Sequence, residues 1–319
     1  MLDAQNPPIR WLFGNRRQRR IARRYWLHDS AIGLLNSALH SGMRFLPTDW
    51  CSGFGALASR LSPHRFPNSD ARARRLWKTL RPEAASEVDA AVTRIWRNAG
   101  RTMAEYSVLG RLFAEGRVAT EGIEYLEAER AAGRPILIAA LHLGNWEVIG
   151  VTGNALGFPG AGFFELQENR FDRRIADKVR RRYGADLITP SRTAARQALR
   201  VLAEKKLCFV IHVDEIFEGH VSAPAFGRPR KLEGNITHIA RLARMTDANI
   251  LPVYVLRIGD AARFKLVVAP PIETIRSEDR EADLAANVAA IERTIEPIIK
   301  AHLDQWFYAL DFEFETPAT

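Results

Sequence analysis

The chain has 319 residues, 47% of them hydrophobic and 26% charged, which is enough apolar material for one large α/β domain or two modest ones and excludes global disorder. Its 46 basic and 37 acidic side chains leave a net charge of +9, so anionic partners are expected; 39 of the 46 are arginine, whose planar fork suits phosphates and carboxylates. The only cysteines, Cys51 and Cys208, form neither a Cys-x-x-Cys pair nor a disulfide framework, which favours a reducing compartment.

No stretch reaches the roughly 18 consecutive apolar residues of a membrane-spanning helix. Residues 11–27 combine Trp11, Leu12 and Phe13, then Arg16, Arg17, Arg19, Arg20, Arg23 and Arg24, then Tyr25-Trp26-Leu27. Clustered cations flanked by aromatics suit an anionic membrane surface, where each cation is worth about 1 kcal/mol. A disordered basic arm or a nucleic-acid contact is the alternative, and with no helix-turn-helix, zinc-finger or RNP-like pattern the membrane ranks first. Residues 31–46 are broken by Asn36, Ser37, His40, Ser41 and Arg44 and end without a small-residue cleavage pattern, so they read as mature protein rather than as a signal. The stretch 31–61, with Leu34, Leu35, Leu39, Met43, Phe45 and Leu46, reads either as an amphipathic hairpin dipping into the interface or as helix-bundle core.

Up to about residue 115 the pattern is helical, and apolar side chains keep helical period over 89–114. From Gly133 onward, apolar runs at 135–141, 185–189 and 207–213 read as buried parallel strands. Ser191 is placed to cap a helix whose apolar face holds Ala194, Ala195, Ala198, Leu199 and Leu202. Another helix fits 236–245; 250–258 then reads as a strand that turns at Gly259-Asp260 and returns as 264–269. The final helix, 282–302, is a core-packing element. The predicted organisation is a helical, basic, membrane-apposed part over 1–115 and an α/β part over 116–319.

The informative segment is Ala139-Ala140-Leu141-His142-Leu143-Gly144-Asn145-Trp146-Glu147, which follows a strand and opens a helix. Functional side chains of open α/β sheets collect beyond the strands' carboxyl ends, where His142 falls. Gly144 permits a tight turn, Asn145 suits an N-cap, and Glu147 falls in the first helical turn, where the helix dipole favours a carboxylate. On one continuous helix His142 and Glu147 would stand about 140° apart; across a strand-turn-helix junction they can meet. A carboxylate beside an imidazole fixes its tautomer and supports the imidazolium, which suits a general base acting on a hydroxyl. The other reading is a histidine that caps the turn. His212, Asp214, Glu215 and His220 have the chemistry of metal ligands but lack a second cluster, and Ser107, Ser191 and Ser222 are not in a G-x-S-x-G elbow.

His142-Leu143-Gly144-Asn145-Trp146-Glu147 resembles the H-x-x-x-x-[DE] motif of glycerolipid-type acyltransferases, in the H-x-G-N-W-E form of the bacterial lipid A late (lauroyl/myristoyl) acyltransferase family, part of the lysophospholipid-acyltransferase-like superfamily. The resemblance extends from about residue 30 to 310 through Phe45-Leu46-Pro47, Asn98-Ala99-Gly100-Arg101, Glu105, Glu168-Asn169, Arg180, Asp214, Phe226-Gly227 and Leu251-Pro252. It implies a glycerolipid-acyltransferase-like mixed sheet flanked by helices. It further implies transfer of a fatty acyl chain from acyl carrier protein or coenzyme A to a hydroxyl of a lipid acceptor, in lipid A and lipopolysaccharide biosynthesis, by a peripheral protein on the cytoplasmic side of the cell inner membrane. His142 would be the base and Glu147 its orienter, with Gly144, Asn145, Arg180 and Asp214 binding substrate or ordering the pocket; no metal, cofactor or nucleic acid is implied. Another glycolipid or lysolipid acceptor, a non-catalytic lipid-binding relative, and a metal-dependent hydrolase using His212 and Asp214 are the competing readings.

The chain departs from the family pattern at Phe164-Glu165, at Asp214-Glu215 and in the ending from Gln305-Trp306-Phe307 to Asp311 and Glu313. Carboxylates at Glu165, Glu215, Asp311 and Glu313 would repel a phosphorylated acceptor, so a less phosphorylated one is expected unless Arg170, Arg173, Arg174 and Arg180 compensate.

Overall fold

The computed structural model describes residues 6–163, 169–183, 186–188 and 193–314. Helices come first: α1 (Arg16–Arg23), α2 (Asp29–Met43), α3 (Thr48–Ala58), α4 (Ser62–Arg65), α5 (Pro67–Leu80) and α6 (Val88–Glu105). The helical period at 89–114 does not make one helix. The backbone turns after Glu105 and Leu109–Arg111 forms a separate 3-10 turn. The turn moves the chain between two cores, because α6 buries Val92 and Ile95 in one while Leu109 and Leu112 belong to the other.

Alternating elements follow: β1 (Val118–Glu121), α7 (Ile123–Ala131), β2 (Leu137–Ala140), α8 (Val148–Ala155), β3 (Gly160–Phe163), α9 (Arg170–Arg182), β4 (Asp186–Ile188), α10 (Ala194–Glu204) and β5 (Cys208–His212). A small antiparallel hairpin, β6 (Ile216–Phe217) with β7 (His220–Val221), precedes α11 (Gly234–Thr246). The chain then forms β8 (Ile250–Arg257), β9 (Phe264–Val268) and α12 (Arg280–Ala301). Seven strands make one sheet in the order β1-β9-β8-β2-β5-β3-β4. All its pairs are parallel except β8 with β9, the hairpin expected around Gly259-Asp260. This is the mixed, helix-flanked sheet the resemblance implies. Ser191 and the ends of the 185–189 run lie outside the described residues.

Successive strand side chains point to opposite faces, and the sheet buries both. Leu137, Ala139, Phe209 and Ile211 join the core formed with α5, α6, α11 and α12; Ile138, Ala140, Cys208 and Val253 face the core formed with α7 and α8. Trp77, Val92 and Trp96 of the leading helices share the first core with Phe209 and Trp306. The α2–α3 segment behaves differently. The face of α3 turned inward carries Cys51, Ser52, Gly55 and Ala56, while Trp50, Phe54 and Leu57 point outward. Its close approach to α6 needs glycine, since a Cβ on Gly55 would stand 2.2 Å from the Gly100 carbonyl oxygen. Among the described residues no helix is long and apolar enough to cross a membrane.

Candidate active site

β2 and β5 pair in parallel with Ala140 opposite His212, so the residues two steps beyond, His142 and Asp214, emerge side by side at the sheet's carboxyl edge. His142 Nδ1 lies 2.8 Å from Asp214 Oδ1, and the backbone N–H of His142 donates to Asp214 Oδ2 at 2.8 Å. The Trp306 indole N–H also donates to Oδ2, at 2.9 Å. Asp214 is fully buried, and these three partners fix its orientation. The carboxylate that orients His142 is therefore Asp214 and not Glu147.

Glu147 is engaged elsewhere. Its carboxylate accepts from Arg180 Nη2 at 2.6 Å and from Nε at 3.4 Å. Burial works against the charge on Arg180, and Glu147 more than offsets it, leaving the guanidinium pKa above its ordinary value. The same carboxylate adds to the effect of burial in pushing the neighbouring Tyr106 and Tyr183 phenols up, so both stay protonated. Asn145 does not cap a helix either, because α8 begins only at Val148. Its side chain is buried and donates to Glu105 Oε2 at 3.0 Å. Glu105 in turn accepts two buried hydrogen bonds from the Arg257 guanidinium, at 2.6 and 2.8 Å, and one from Ser52 Oγ at 2.6 Å. Gly144 has φ +55°, and a Cβ there would meet the Val255 carbonyl oxygen at 2.5 Å, so the tight turn requires glycine.

The carboxyl-terminal segment closes the site from the far side of the sequence. Gly144 N–H donates to Gln305 O and Phe307 N–H to His142 O, both at 3.0 Å. Three rings surround the His142 imidazole: His212 with centroids 4.3 Å apart, Tyr308 at 4.8 Å and Trp146 at 4.9 Å. Burial, followed by the charges of His142 and Arg180, holds the pKa of His212 well below its ordinary value. Its Nε2 is buried without a hydrogen-bond partner. His212, whose chemistry suits a metal ligand, instead packs its ring against His142 at a 34° tilt, a contact that no local sequence signal marks.

His142 opens onto a cavity of about 1330 Å³, larger than the roughly 300–1,000 Å³ of ordinary ligand pockets. One wall is the apolar sheet face, Ile138, Val210 and Val253, with Ile149 and Gly150 of α8 opposite; another is formed by α2 and α9. A Cβ on Gly150 would meet nothing within 4 Å, so this helical glycine widens the cavity. Cys208 lines it too, with its thiol pushed up to about 12 by burial, and it serves as apolar wall rather than as a nucleophile. Among the described residues, Glu215 is the one acidic departure that lines this cavity. Asp311 is not among the lining residues, Glu165 lies outside the described residues, and Glu313 pairs with Arg72. Arg170 is likewise unavailable, stacked 4.2 Å over the Tyr25 ring and bonded to Tyr25 O.

The family described as bacterial lipid A biosynthesis acyltransferase matches this chain over residues 16–311. Comparison with curated proteins gives no match. Among solved structures, the 1-acyl-sn-glycerophosphate (LPA) acyltransferase PlsC from Thermotoga maritima is similar at 14% identity and a TM-score of 0.38, covering 85% of this chain and 97% of that one.

Proposed function

The chain belongs to the bacterial lipid A biosynthesis acyltransferase family, and from that premise we propose that it moves a fatty acyl chain from an acyl carrier protein or coenzyme A thioester onto a hydroxyl of a glycolipid, a lipid A precursor, with His142 as general base. The observation that carries the reading is the His142–Asp214 pair at 2.8 Å, set at the end of a large apolar cavity. With Nδ1–H donated to Asp214, Nε2 is the basic nitrogen. It takes the acceptor hydroxyl's proton as that oxygen attacks the thioester carbonyl. The tetrahedral oxyanion collapses, the carbon–sulfur bond breaks, and the thiolate takes the proton from Nε2. No covalent enzyme intermediate is needed. The acyl chain fits along the sheet face between Ile138 and Gly150, and Arg180–Glu147 braces α9 against the motif loop.

We also place the protein peripherally at the cytoplasmic face of the inner membrane. α3 supports this, because a helix that turns small and polar residues inward and Trp50, Phe54 and Leu57 outward is built to meet an apolar medium. Phe45 at 89% exposure and Leu61 at 72% are also turned to solvent, and the exposed Arg16, Arg17, Arg19, Arg20, Arg23 and Arg24 suit anionic headgroups. Tyr25 and Trp26 do not contribute as expected, since Arg170 covers Tyr25 and the Trp26 indole is bonded to Pro7 O at 2.9 Å.

The test is His142→Ala in purified protein, assayed with acyl thioester and lipid A precursor. Loss of a general base lowers turnover about 10²–10⁴-fold, with folding unaffected by circular dichroism. Wild-type turnover in the folded variant would end the proposal.

A further inference from the structure

Beside the cavity wall made by α2 and α9 stand three cations, Arg44, Lys178 and Arg182, that do not themselves line the cavity and that acyl transfer does not use. The two helices run side by side in the same direction: Asn169 Nδ2 donates to Asp29 O at 2.8 Å, and a Cβ on Gly33 would touch the Phe171 ring at 2.5 Å. Further along, Asn36 Nδ2 donates to Asp172 Oδ1 at 3.1 Å. Followed onward, this register brings His40 and Arg44, one helical turn apart, alongside Lys178 and Arg182, also one turn apart. Arg44, Lys178 and Arg182 are exposed, and among the described residues no carboxylate pairs with any of them. Arg180, in contrast, is held by Glu147. Of the acids of α9, Asp172 accepts from Asn36.

His40 is half-buried, lines the same cavity as His142, and has Nδ1 3.1 Å from Ser107 Oγ. Burial, and then the charges of Arg44, Arg182 and Lys178, lower its pKa. The helix register thus brings three cations from two helices beside His40, and among the described residues no acid is paired with them. Such a field concentrates anions, and arginine beside lysine is the combination that binds phosphate.

We propose that Arg44, Lys178 and Arg182, over a floor of His40 and Ser107, bind a phosphate group carried by a substrate at the rim of the cavity. The consequence for catalysis rests on the acyl-transfer reading, because a phosphate fixed here sets how a substrate enters relative to His142; the charge cluster stands without it. Both substrates of that reading carry phosphate, the glycolipid on its sugars and the thioester donor on its pantetheine arm.

Calorimetric titration of the full chain separates these sources. One probe is adenosine 3′,5′-bisphosphate, which carries coenzyme A phosphates without an acyl chain, set against adenosine. The other is a short-chain glucosamine 1-phosphate lipid below its micelle concentration, set against its dephosphorylated form. Wild type and His142→Ala are expected to bind one phosphate-bearing probe about tenfold or more tightly than its phosphate-free counterpart. A Lys178→Gln, Arg182→Gln double variant, folded by circular dichroism, should lose that preference. A preference for the nucleotide assigns the site to the donor, and one for the lipid assigns it to the acceptor. Arg44→Gln, on the other helix, carries the same test should the double variant fail to fold. No preference in wild type, or a preference that survives in the folded variants, overturns the proposal. Acyl transfer measured on the same wild-type preparation tests the catalytic reading separately: absent turnover with an intact phosphate preference would remove that reading and leave the site.

Discussion

Both oxygens of the buried Glu105 carboxylate are answered by side chains of the protein, whereas along α2 and α3 large apolar side chains stand exposed. Glu105 is enclosed and held by Arg257, Ser52 and Asn145, and the loop it steadies is pinned again by Gln305 and Phe307. Outside α3, Trp50, Phe54 and Leu57 remain exposed. The first region keeps charge out of water so that one geometry persists; the second leaves apolar surface exposed to solvent. The two should therefore respond to mutation in opposite ways.

The largest effect belongs to the first region. Asp214→Asn should lower kcat about 10³–10⁴-fold, as when an orienting carboxylate is lost from beside a histidine base, with little change in thermal midpoint. Glu147→Gln should act through Arg180, with a smaller loss of kcat that Arg180→Ala does not deepen, as for residues that act as a unit. Steady-state kinetics of wild type, the three single variants and the Glu147→Gln, Arg180→Ala double variant would decide between the two carboxylates.

Next in size is stability. Glu105→Leu leaves the buried Arg257 without its counter-charge and should cost about 3–5 kcal/mol by denaturant unfolding, whereas a Glu105→Leu, Arg257→Met pair should recover much of the loss. Replacing Trp50, Leu57 and Leu61 together by Ser should leave stability within about 1 kcal/mol, since exposed positions contribute little. The same variant should bind anionic vesicles at least about tenfold more weakly, given about 0.8 kcal/mol per buried methylene. If that triple variant unfolds while still binding vesicles, the contrast between the regions is wrong. Arg16, Arg17, Arg19 and Arg20 changed to Gln should weaken vesicle binding further at low salt than at high salt, because salt screens exposed charge over about 8 Å.

The smallest effect is one of pH. His40, His212, His238 and His302 all have pKa values lowered by burial, so the unfolded chain takes up protons before the folded one does. Their contribution is fully present above the ordinary histidine range and is lost as pH falls below about 6.5. Unfolding midpoints from pH 7.5 to 5.5 should decline, and His212→Asn should flatten the decline. A midpoint that rises on acidification would contradict the burial of these imidazoles.

The motif was legible because its residues are contiguous, and Gly144 could be read from the turn it had to make. The partner of His142 was not, because the sequence offered Glu147 five residues away while Asp214 is 72 positions distant. Both runs, 135–141 and 207–213, read as buried strands, and had β2 and β5 been paired the register would have brought Asp214 to His142. β3 escaped notice because Gly160-Ala161-Gly162-Phe163 has no β-branched residue; its small side chains suit the close approach of Val210, whose carbonyl oxygen would stand 2.4 Å from a Cβ on Gly162. The Glu105–Arg257 bond, spanning 152 positions, left no local trace beyond a glutamate on the buried face of a helix.

Because His142 and Asp214 each stand two residues past the paired positions Ala140 and His212, their separation is inherited from the spacing of adjacent strands, about 4.8 Å. The helices and terminal segment that shape the cavity attach to that frame without setting it. A lineage built this way can lengthen α9, recharge its surface or exchange the chain's ending while the reacting pair keeps its distance. A single-residue insertion within β2 or β5 would break the register that sets that distance.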